Sequence, residues 1–313
     1  MSYSFLKESK LYIVYGGNKH RIYTSTAINF DQTFAEESYS VKTLHDQSKM
    51  FEASKITKAN PASFSFDVPL TIQKDESIVL DLATDLVATA EAGVNIQQLK
   101  SFDMYVQTGS STFKLEGAII TGATFDFVPQ NQFTLRIEGK GKKLTRAGDE
   151  SFTIPGVAQS ESSPRTPLIV YPVISADSLN MTSILSVNLQ IQNQINWVPF
   201  ENIHNSESVT NSSNALFPSA YTMGKRTVSG EIRQYQTDNN ITQFDDFSTS
   251  TNLTIKAIQI GKASNATPFF QININPVMYT ARMAPADVYT QSYDFRSLDN
   301  TGTLNASITN YIN

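Results

Sequence analysis

The most constraining feature of the sequence is a set of segments that occur twice, in the same order and roughly 155 to 160 residues apart. The matched segments are Tyr12–Tyr15 with Leu168–Tyr171, Phe64–Leu70 with Thr227–Ile232, and a hairpin pattern at 124–137 with another at 277–295. Periods of 20 to 50 residues indicate solenoids, whereas a spacing of about one ordinary domain indicates a duplication. The sequence therefore predicts two fused copies of one β domain.

A proline-rich segment divides the two copies. It contains Pro155, Pro164 and Pro167 among small residues with few apolar anchors, a composition typical of linkers. With 313 residues, the chain is long enough for two domains that each have a core. We expect a first domain at 1–154, a linker at 155–167 and a second domain at 168–313.

Alternating patterns of apolar and polar residues dominate both halves and predict strands. The clearest alternating sets are Phe64, Phe66, Val68, Leu70 and Ile72 in the first half, and Leu185, Val187, Leu189 and Ile191 in the second. Turns are predicted at 128–132 and 283–287, each between two strands of a hairpin. Each strand would turn one face to a core and the other to solvent or a neighbour.

One helix is predicted in each copy. In the first, apolar residues at roughly helical spacing extend from Leu80 to Leu99, and Asp81 and Asp85 lie near the start. The second copy offers a shorter counterpart at Asn240–Phe247. The predicted fold class is therefore mainly β, a β-sandwich or barrel with a flanking helix, in two tandem copies.

Two long segments, Asp31–Asn60 and Asn196–Met223, show no strong period. Both follow the second predicted strand of their copy. Long loops in compact domains are usually functional or disordered. Because these segments recur at the same place, we expect them to be arms that share a purpose.

Composition and charge exclude several classes of function. The formal net charge is −5, whereas proteins that bind DNA by neutralising phosphates are normally basic or carry a dense basic face. The one basic cluster, Lys140 to Arg146, fits a solvated strand end. The absence of cysteine excludes disulfides, a thiolate nucleophile and cysteine-ligated zinc. With no apolar run long enough for a signal peptide or a membrane span, we expect a soluble protein made in the cytoplasm.

No set of residues suggests an active site, a metal site or a cofactor site, and we expect no enzymatic activity and no cofactor. The histidines are isolated, the adjacent acidic pairs fit turns or helix starts, and a nucleophile elbow is absent. The single tryptophan fits a core position better than an interface. The residues considered are His20, His45, His204, Asp75–Glu76, Asp245–Asp246 and Trp197.

The second copy resembles the tail tube proteins of tailed bacteriophages. The likeness lies in Arg226–Arg233 with its Ser-Gly pair, a short predicted helix, and the paired strand Leu253–Ile260. The resemblance implies a structural protein of the virion tail, assembled in the host cytoplasm, whose rings stack into a hollow tube through which the genome is ejected. Since ordinary tubes have six domains per ring, a duplicated chain would form a trimeric, pseudo-hexameric ring.

The resemblance also implies partners. They are further copies of the chain and other tail proteins, namely the tape measure protein, the baseplate hub, the tail terminator and, in a contractile tail, the sheath. DNA would cross the lumen without specific binding, and no membrane contact is expected. Two alternatives stay open from sequence: a trimeric baseplate hub or tube-initiating protein, and a carbohydrate-binding β-sandwich.

Overall fold

The computed structural model describes residues 9–41, 51–84, 86–91, 94–176, 181–198, 216–218, 220–240, 251–285, 287–297 and 306–310. As predicted, the fold is mainly β with a flanking helix. The elements before residue 160 are β1 Lys10–Tyr15, β2 Asn18–Ile22, β3 Asn29–Asp31, β4 Phe34–Val41, β5 Phe51–Ala59, β6 Ala62–Pro69, α1 Ser77–Thr84, β7 Leu86–Glu91, β8 Val94–Leu99, β9 Phe102–Gln107, β10 Thr112–Phe127, β11 Thr134–Gly141, β12 Lys143–Gly148 and β13 Val157–Ala158. The later strands are β14 Val170–Ala176, β15 Ile184–Val198, β16 Ala220–Tyr235, β17 Thr251–Gln259, β18 Phe270–Ala284, β19 Thr290–Ser297 and β20 Ala306–Asn310.

The strands of the two halves pair in the same order. In the first half, β1 pairs with β9, β9 with β10, β10 with β11 and β11 with β6. In the second half, β14 pairs with β17, β17 with β18, β18 with β19 and β19 with β16. All eight pairings are antiparallel. The strands β12 and β20 also occupy equivalent places, since β12 pairs with the start of β10 and β20 pairs with the start of β18.

The long strands β10 and β18 change partners along their length. One edge of β10 faces β9 over its first residues and β15 from Gly122 to Phe127, while β12 and β11 occupy the other edge. On β18, one edge faces β17 as far as Val277, and β20 and β19 occupy the other. In each half, the first strand therefore connects to the start of the long strand through one intervening strand, β9 or β17. The strands β11 and β19 pair with the end of the long strand.

The core follows the predicted alternation. Phe64, Phe66 and Val68 on β6, and Val187 and Leu189 on β15, are at most 3% exposed. Buried side chains of both halves belong to one contiguous cluster, because β10 and β15 join the halves into one sheet. The predicted hairpin turn at 128–132 is present between β10 and β11.

The predicted helix Leu80–Leu99 is wrong over most of its length. The helix is Ser77–Thr84 only, so Asp81 lies inside it rather than at its start, and β7 and β8 pair as a hairpin from Leu86 to Leu99. In sequence, Gly93 lies between these two strands, and glycine weakens a helix. Small and β-branched residues at 86–90 fit either period, so spacing alone misassigned them. The second predicted helix, Asn240–Phe247, lies outside the described residues beyond Asn240.

The two predicted arms are more regular than expected. Within 31–60, β4 and β5 pair as an antiparallel hairpin from Phe34↔Ala59 to Val41↔Phe51. Within 196–223, β15 continues to Val198 and β16 begins at Ala220, and these ends pair with each other; residues 199–215 lie outside the described part. The aperiodic sequence had suggested loops, and cross-strand backbone pairing supplies the structure instead.

Trp197 is only partly buried and is not part of the core cluster, contrary to the prediction of a core anchor. It lies on the extension of β15, where its ring packs against Tyr221 with centroids 5.5 Å apart. Its indole N–H is shielded from solvent and has no hydrogen-bond partner among the described residues. Trp197 lies near the end of β15, beyond the residues of this strand that belong to the core cluster.

Candidate functional surface

A polar sheet face runs without a break across both halves of the chain. It is formed by one face of eight adjacent strands in the order β3, β6, β11, β10, β15, β16, β19 and β18. The register places the following side chains on it: Asn29, Asp31, Ser63, Ser65, Asp67, Arg136, Glu138, Lys140, Thr124, Asp126, Asn188, Gln190, Gln192, Thr227, Ser229, Glu231, Arg233, Ser292, Asp294, Arg296, Met278, Thr280 and Arg282. We call this surface the polar face.

Charges on the polar face are mixed and nearly balanced. Six carboxylates and five basic groups occupy the positions named above. Arg136 Nε lies 3.4 Å from Asp67 Oδ1, and Arg282 Nη2 lies 2.5 Å from Asp294 Oδ2. Interspersed and partly paired charges give no concentrated positive field. The polar face is therefore poorly suited to phosphate neutralisation.

The two halves meet at an internal seam, which we define as Gly122–Phe127 of β10 paired with Val187–Gln192 of β15. On its buried side the Phe125 ring stacks on Phe270 with centroids 5.0 Å apart. On the polar face Asn188 Nδ2 donates a hydrogen bond to Asp126 Oδ1. The seam thus has the apolar and polar sides of an ordinary sheet interior.

Arg226 ties the second half to the helix of the first. Its Nη1 donates to the carbonyl oxygen of Thr84 at 2.6 Å and its Nη2 to that of Ala83 at 3.3 Å. Its Nε donates to Asn193 Oδ1 at 2.7 Å. The last carbonyls of a helix lack partners within the helix and carry partial negative charge. Arg226 satisfies them, a role that its place in the Arg226–Arg233 motif did not suggest.

A glycine faces a phenylalanine at the same place in both halves, with the strands exchanged. In the first half Phe64 of β6 is paired with Gly139 of β11, five residues from the pair Pro69↔Thr134 that ends the ladder. In the second half Gly230 of β16 is paired with Phe295 of β19, five residues from the terminal pair Tyr235↔Thr290. In each case the phenylalanine ring occupies the space that a Cβ atom on the facing glycine would need.

The predicted linker is packed against the first half. Val157 and Ala158 form β13, which pairs with β2 in parallel. Ser162 donates from its backbone N–H and its hydroxyl to Asp75. Arg165 forms an ion pair with Glu76, which is 1% exposed. Residues that look like a spacer in sequence therefore form a strap with charged anchors.

The acidic pair Asp75–Glu76 lies in the turn before α1, as predicted. Glu76 Oε2 accepts hydrogen bonds from the backbone N–H of Thr71 at 3.2 Å and from its hydroxyl at 2.9 Å. The Arg165 guanidinium also lies 3.9 Å from the centre of the Tyr23 ring. These contacts give both carboxylates a structural role in holding the strap and the turn before α1.

His20 lies on β2 opposite Ile13 and is partly buried. Burial lowers the pKa of its imidazole below the ordinary value, because the charged form loses hydration. The basic cluster at 140–146 lies on β11 and β12, and its side chains are exposed or half-buried, as expected of a strand end. His45, His204 and Asp245–Asp246 lie outside the described residues.

Among the described residues, no group of three or more His, Asp or Glu side chains is arranged to hold a metal ion. In the same part of the chain, no helix is long and apolar enough to cross a membrane.

The sequence model of the Bacteriophage Baseplate Tube Protein Family matches residues 1–312. The chain belongs to this family. A search of curated proteins found no match. Membership in the baseplate tube family makes the protein a structural component of the phage tail or baseplate, located in the virion and associated with other tail and baseplate proteins. A structural family of this kind also suggests a role without enzymatic activity.

Proposed function

We propose that the chain forms rings of three copies that stack into a tube segment, and that DNA passes through the lumen during genome ejection. The observation that carries the proposal is the polar face, which continues over eight strands and both halves. A surface of this kind, bent into a closed barrel, would line a channel with mixed charges. A polyanion could slide along such a wall because few of its counterions would be displaced.

The two halves act as two copies of one tube domain in this proposal. Support comes from the four strand pairings that follow the same order in each half, from β12 and β20 at equivalent places, and from the reciprocal glycine–phenylalanine pairs. Three chains with two copies each would give six domains, which matches the pseudo-hexameric ring. Closed cyclic symmetry lets a single interface complete the assembly.

The domain limits in this proposal remain 1–154 and 168–313. The segment between them is a strap that holds the copies together, with Arg165 and Ser162 as its anchors on the first copy. A strap of fixed length would keep the two copies of one chain next to each other in the ring. It would therefore exclude rings in which the copies of one chain are separated.

Electron microscopy of the purified protein tests the ring. The expected result is annular particles with a central hole, and three chains per ring by native mass spectrometry. A protein that stays monomeric at all concentrations, and also when mixed with other proteins of the same tail, would contradict the proposal.

DNA retention tests the lining of the lumen. We expect retention of duplex DNA by assembled rings to be no greater than by a neutral control protein at physiological salt. The substitution of Asp67, Asp126 and Asp294 by asparagine removes three negative charges from the polar face and should increase retention. Tight retention by the unmodified rings would contradict a conducting lumen.

A tube-initiating protein of the baseplate is the second candidate. The family description places its members in the baseplate, where a tube starts and where few rings are needed. Both candidates use the same trimeric ring. Unlimited stacking of purified rings favours the tube, whereas a discrete trimer that grows only after a tube protein is added favours the initiator.

A further inference from the structure

We infer that one chain joins the next by copying its own internal seam: Arg282–Pro285 at the end of β18 pairs, antiparallel, with Ile28–Asp31 of a second copy. This inference rests on the proposed ring and specifies the surface and register that close it.

The two segments are the open ends of the eight-stranded sheet. β3 pairs with β6 on one side, and no described strand pairs with its other side. β18 pairs with β17 only as far as Val277, and no described strand occupies that edge beyond it. Unpaired strand edges are templates for pairing with another chain. Each chain therefore offers one open edge at each end of the polar face.

The internal seam fixes which residues should meet. The ladder of β10 with β11 ends at Asp126↔Thr134, and that of β18 with β19 ends at Ala284↔Thr290. Asp126 and Ala284 therefore occupy equivalent places, two residues beyond Thr124 and Arg282 respectively.

β15 and β3 also occupy equivalent places in the two halves. Asn188 of β15 faces Glu231 of β16, four residues before the terminal pair at Tyr235. Asn29 of β3 faces Ser65 of β6, four residues before the terminal pair at Pro69. Asn188 and Asn29 are thus equivalent. Since Thr124 faces Gln190 within the seam, Arg282 should face Asp31 between chains.

Side-chain chemistry agrees with this register. The Arg282 side chain is 64% exposed, and an arginine facing an aspartate across an antiparallel ladder is a favourable pair. On the buried side, Phe125 faces Leu189 in the internal seam, and both are 0% exposed. Their equivalents are Met283, 39% exposed, and Phe30, which is only partly buried. Both apolar side chains lack the cover that their counterparts have, and pairing of the two edges would supply it.

Three such junctions would close a barrel. Eight strands in each of three chains give 24, and closure would leave none of the open edges described above. The polar face would then be continuous around the ring. Internal seams and junctions between chains would alternate, which is how two copies per chain could produce a six-fold arrangement.

Cysteine cross-linking tests the junction, and the chain contains no native cysteine to interfere. In the double variant Asp31→Cys/Arg282→Cys, directly opposed Cβ atoms would lie about 5 Å apart. Mild oxidation of assembled rings should give a ladder of covalent dimers and trimers that ends at three chains. Thr124→Cys/Gln190→Cys is the matched control, because it places the same pair in the internal seam and should close a bond within one chain.

A register control uses Asp31→Cys/Met278→Cys. Its two positions would be four residues out of step, about 13 Å along the strand, and should give at least tenfold less cross-linked product. Charge exchange is a second test. Arg282→Asp alone should prevent ring formation, and adding Asp31→Arg should restore it.

Electron microscopy of the same samples separates the possible failures. Rings without a 31–282 cross-link, while the 124–190 control is oxidised, would overturn the inferred junction and leave the proposed function intact. A complete absence of rings and of cross-links between chains would overturn both. Rings formed equally well by Arg282→Asp would also overturn the inferred register.

Discussion

Replacing Gly139 by alanine should destabilise the sheet strongly, because the space for a methyl group is already filled. A Cβ at this position would lie 2.1 Å from Cζ of Phe64 and 2.4 Å from the carbonyl oxygen of Ile119, whereas ordinary contacts begin near 3.4 Å. The Phe64 ring would have to retreat by about 1.3 Å, the difference between 3.4 and 2.1 Å. It is 3% exposed and is held between Phe66 and Phe102.

The cost follows from these contacts. Overpacking a filled core costs about 1–3 kcal/mol, and the clash with the Ile119 carbonyl, part of the β10 backbone, cannot be relieved by a side-chain rotation. We therefore expect Gly139→Ala to lower the free energy of unfolding by about 3 kcal/mol, at the upper end of that range. If the slope of the unfolding free energy with urea is about 3 kcal/mol/M, the midpoint should fall by about 1 M.

Gly122→Ala is the matched control, since Gly122 lies on the adjacent strand of the same sheet. Its added Cβ would be 3.6 Å from the Cβ of Glu138, an ordinary contact. This variant should be neutral or more stable by about 0.5 kcal/mol, because glycine in a strand costs conformational entropy. Urea unfolding followed by circular dichroism measures both variants. A Gly139→Ala variant within 1 kcal/mol of Gly122→Ala would refute the reasoning on close packing.

Three further predictions concern other parts of the fold. Glu76→Ala leaves the Arg165 guanidinium without its buried partner and should cost about 3 kcal/mol, with faster proteolysis of the strap; an unchanged cleavage rate would show that the ion pair does not hold it. Phe125→Ala empties a fully buried site at the internal seam and should cost about 3–4 kcal/mol by urea unfolding, whereas Val157→Ala, at a 68% exposed residue, should cost less than about 0.5 kcal/mol. The lowered pKa of His20 means that the unfolded chain binds more protons than the folded one. The contribution of His20 to stability is therefore present above about pH 6.5 and is lost as the pH falls below that value. His20→Gln should reduce the slope of the unfolding free energy with pH in this range, and an equal slope in both proteins would refute the prediction.

The strand content was accessible from the sequence because alternation is a local property. Phe64, Phe66 and Val68 on β6, and Val187 and Leu189 on β15, are buried as their period of two predicts. The bounds of the helix could not be predicted from the sequence, because the predicted range Leu80–Leu99 overlaps the observed helix Ser77–Thr84 only at its start. Residues 86–90 are small, β-branched or apolar, and the pairing of 86–91 with 94–99, rather than the spacing of apolar residues, made these segments a hairpin.

The candidate surface was only partly predictable. Polar residues on alternate positions predicted that each strand would have a solvent or neighbour face, but not that eight such faces would join across both halves. Arg226 was named within the tube-like motif, and its contacts with the Ala83 and Thr84 carbonyls depend on two segments about 140 residues apart in sequence. The anchoring of Arg165 on Glu76 is a similar long-range contact.

The sequence by itself determined the period of the strands, the repeated order of segments in the two halves, and the absence of a motif for catalysis or metal binding. These follow from the identity of neighbouring residues. Only the tertiary structure decided which edges meet, because backbone hydrogen bonds are chemically alike and do not specify a partner strand. That choice joined β10 to β15, left the edges of β3 and β18 without a described partner, and so located the surface at which a second copy is expected to bind.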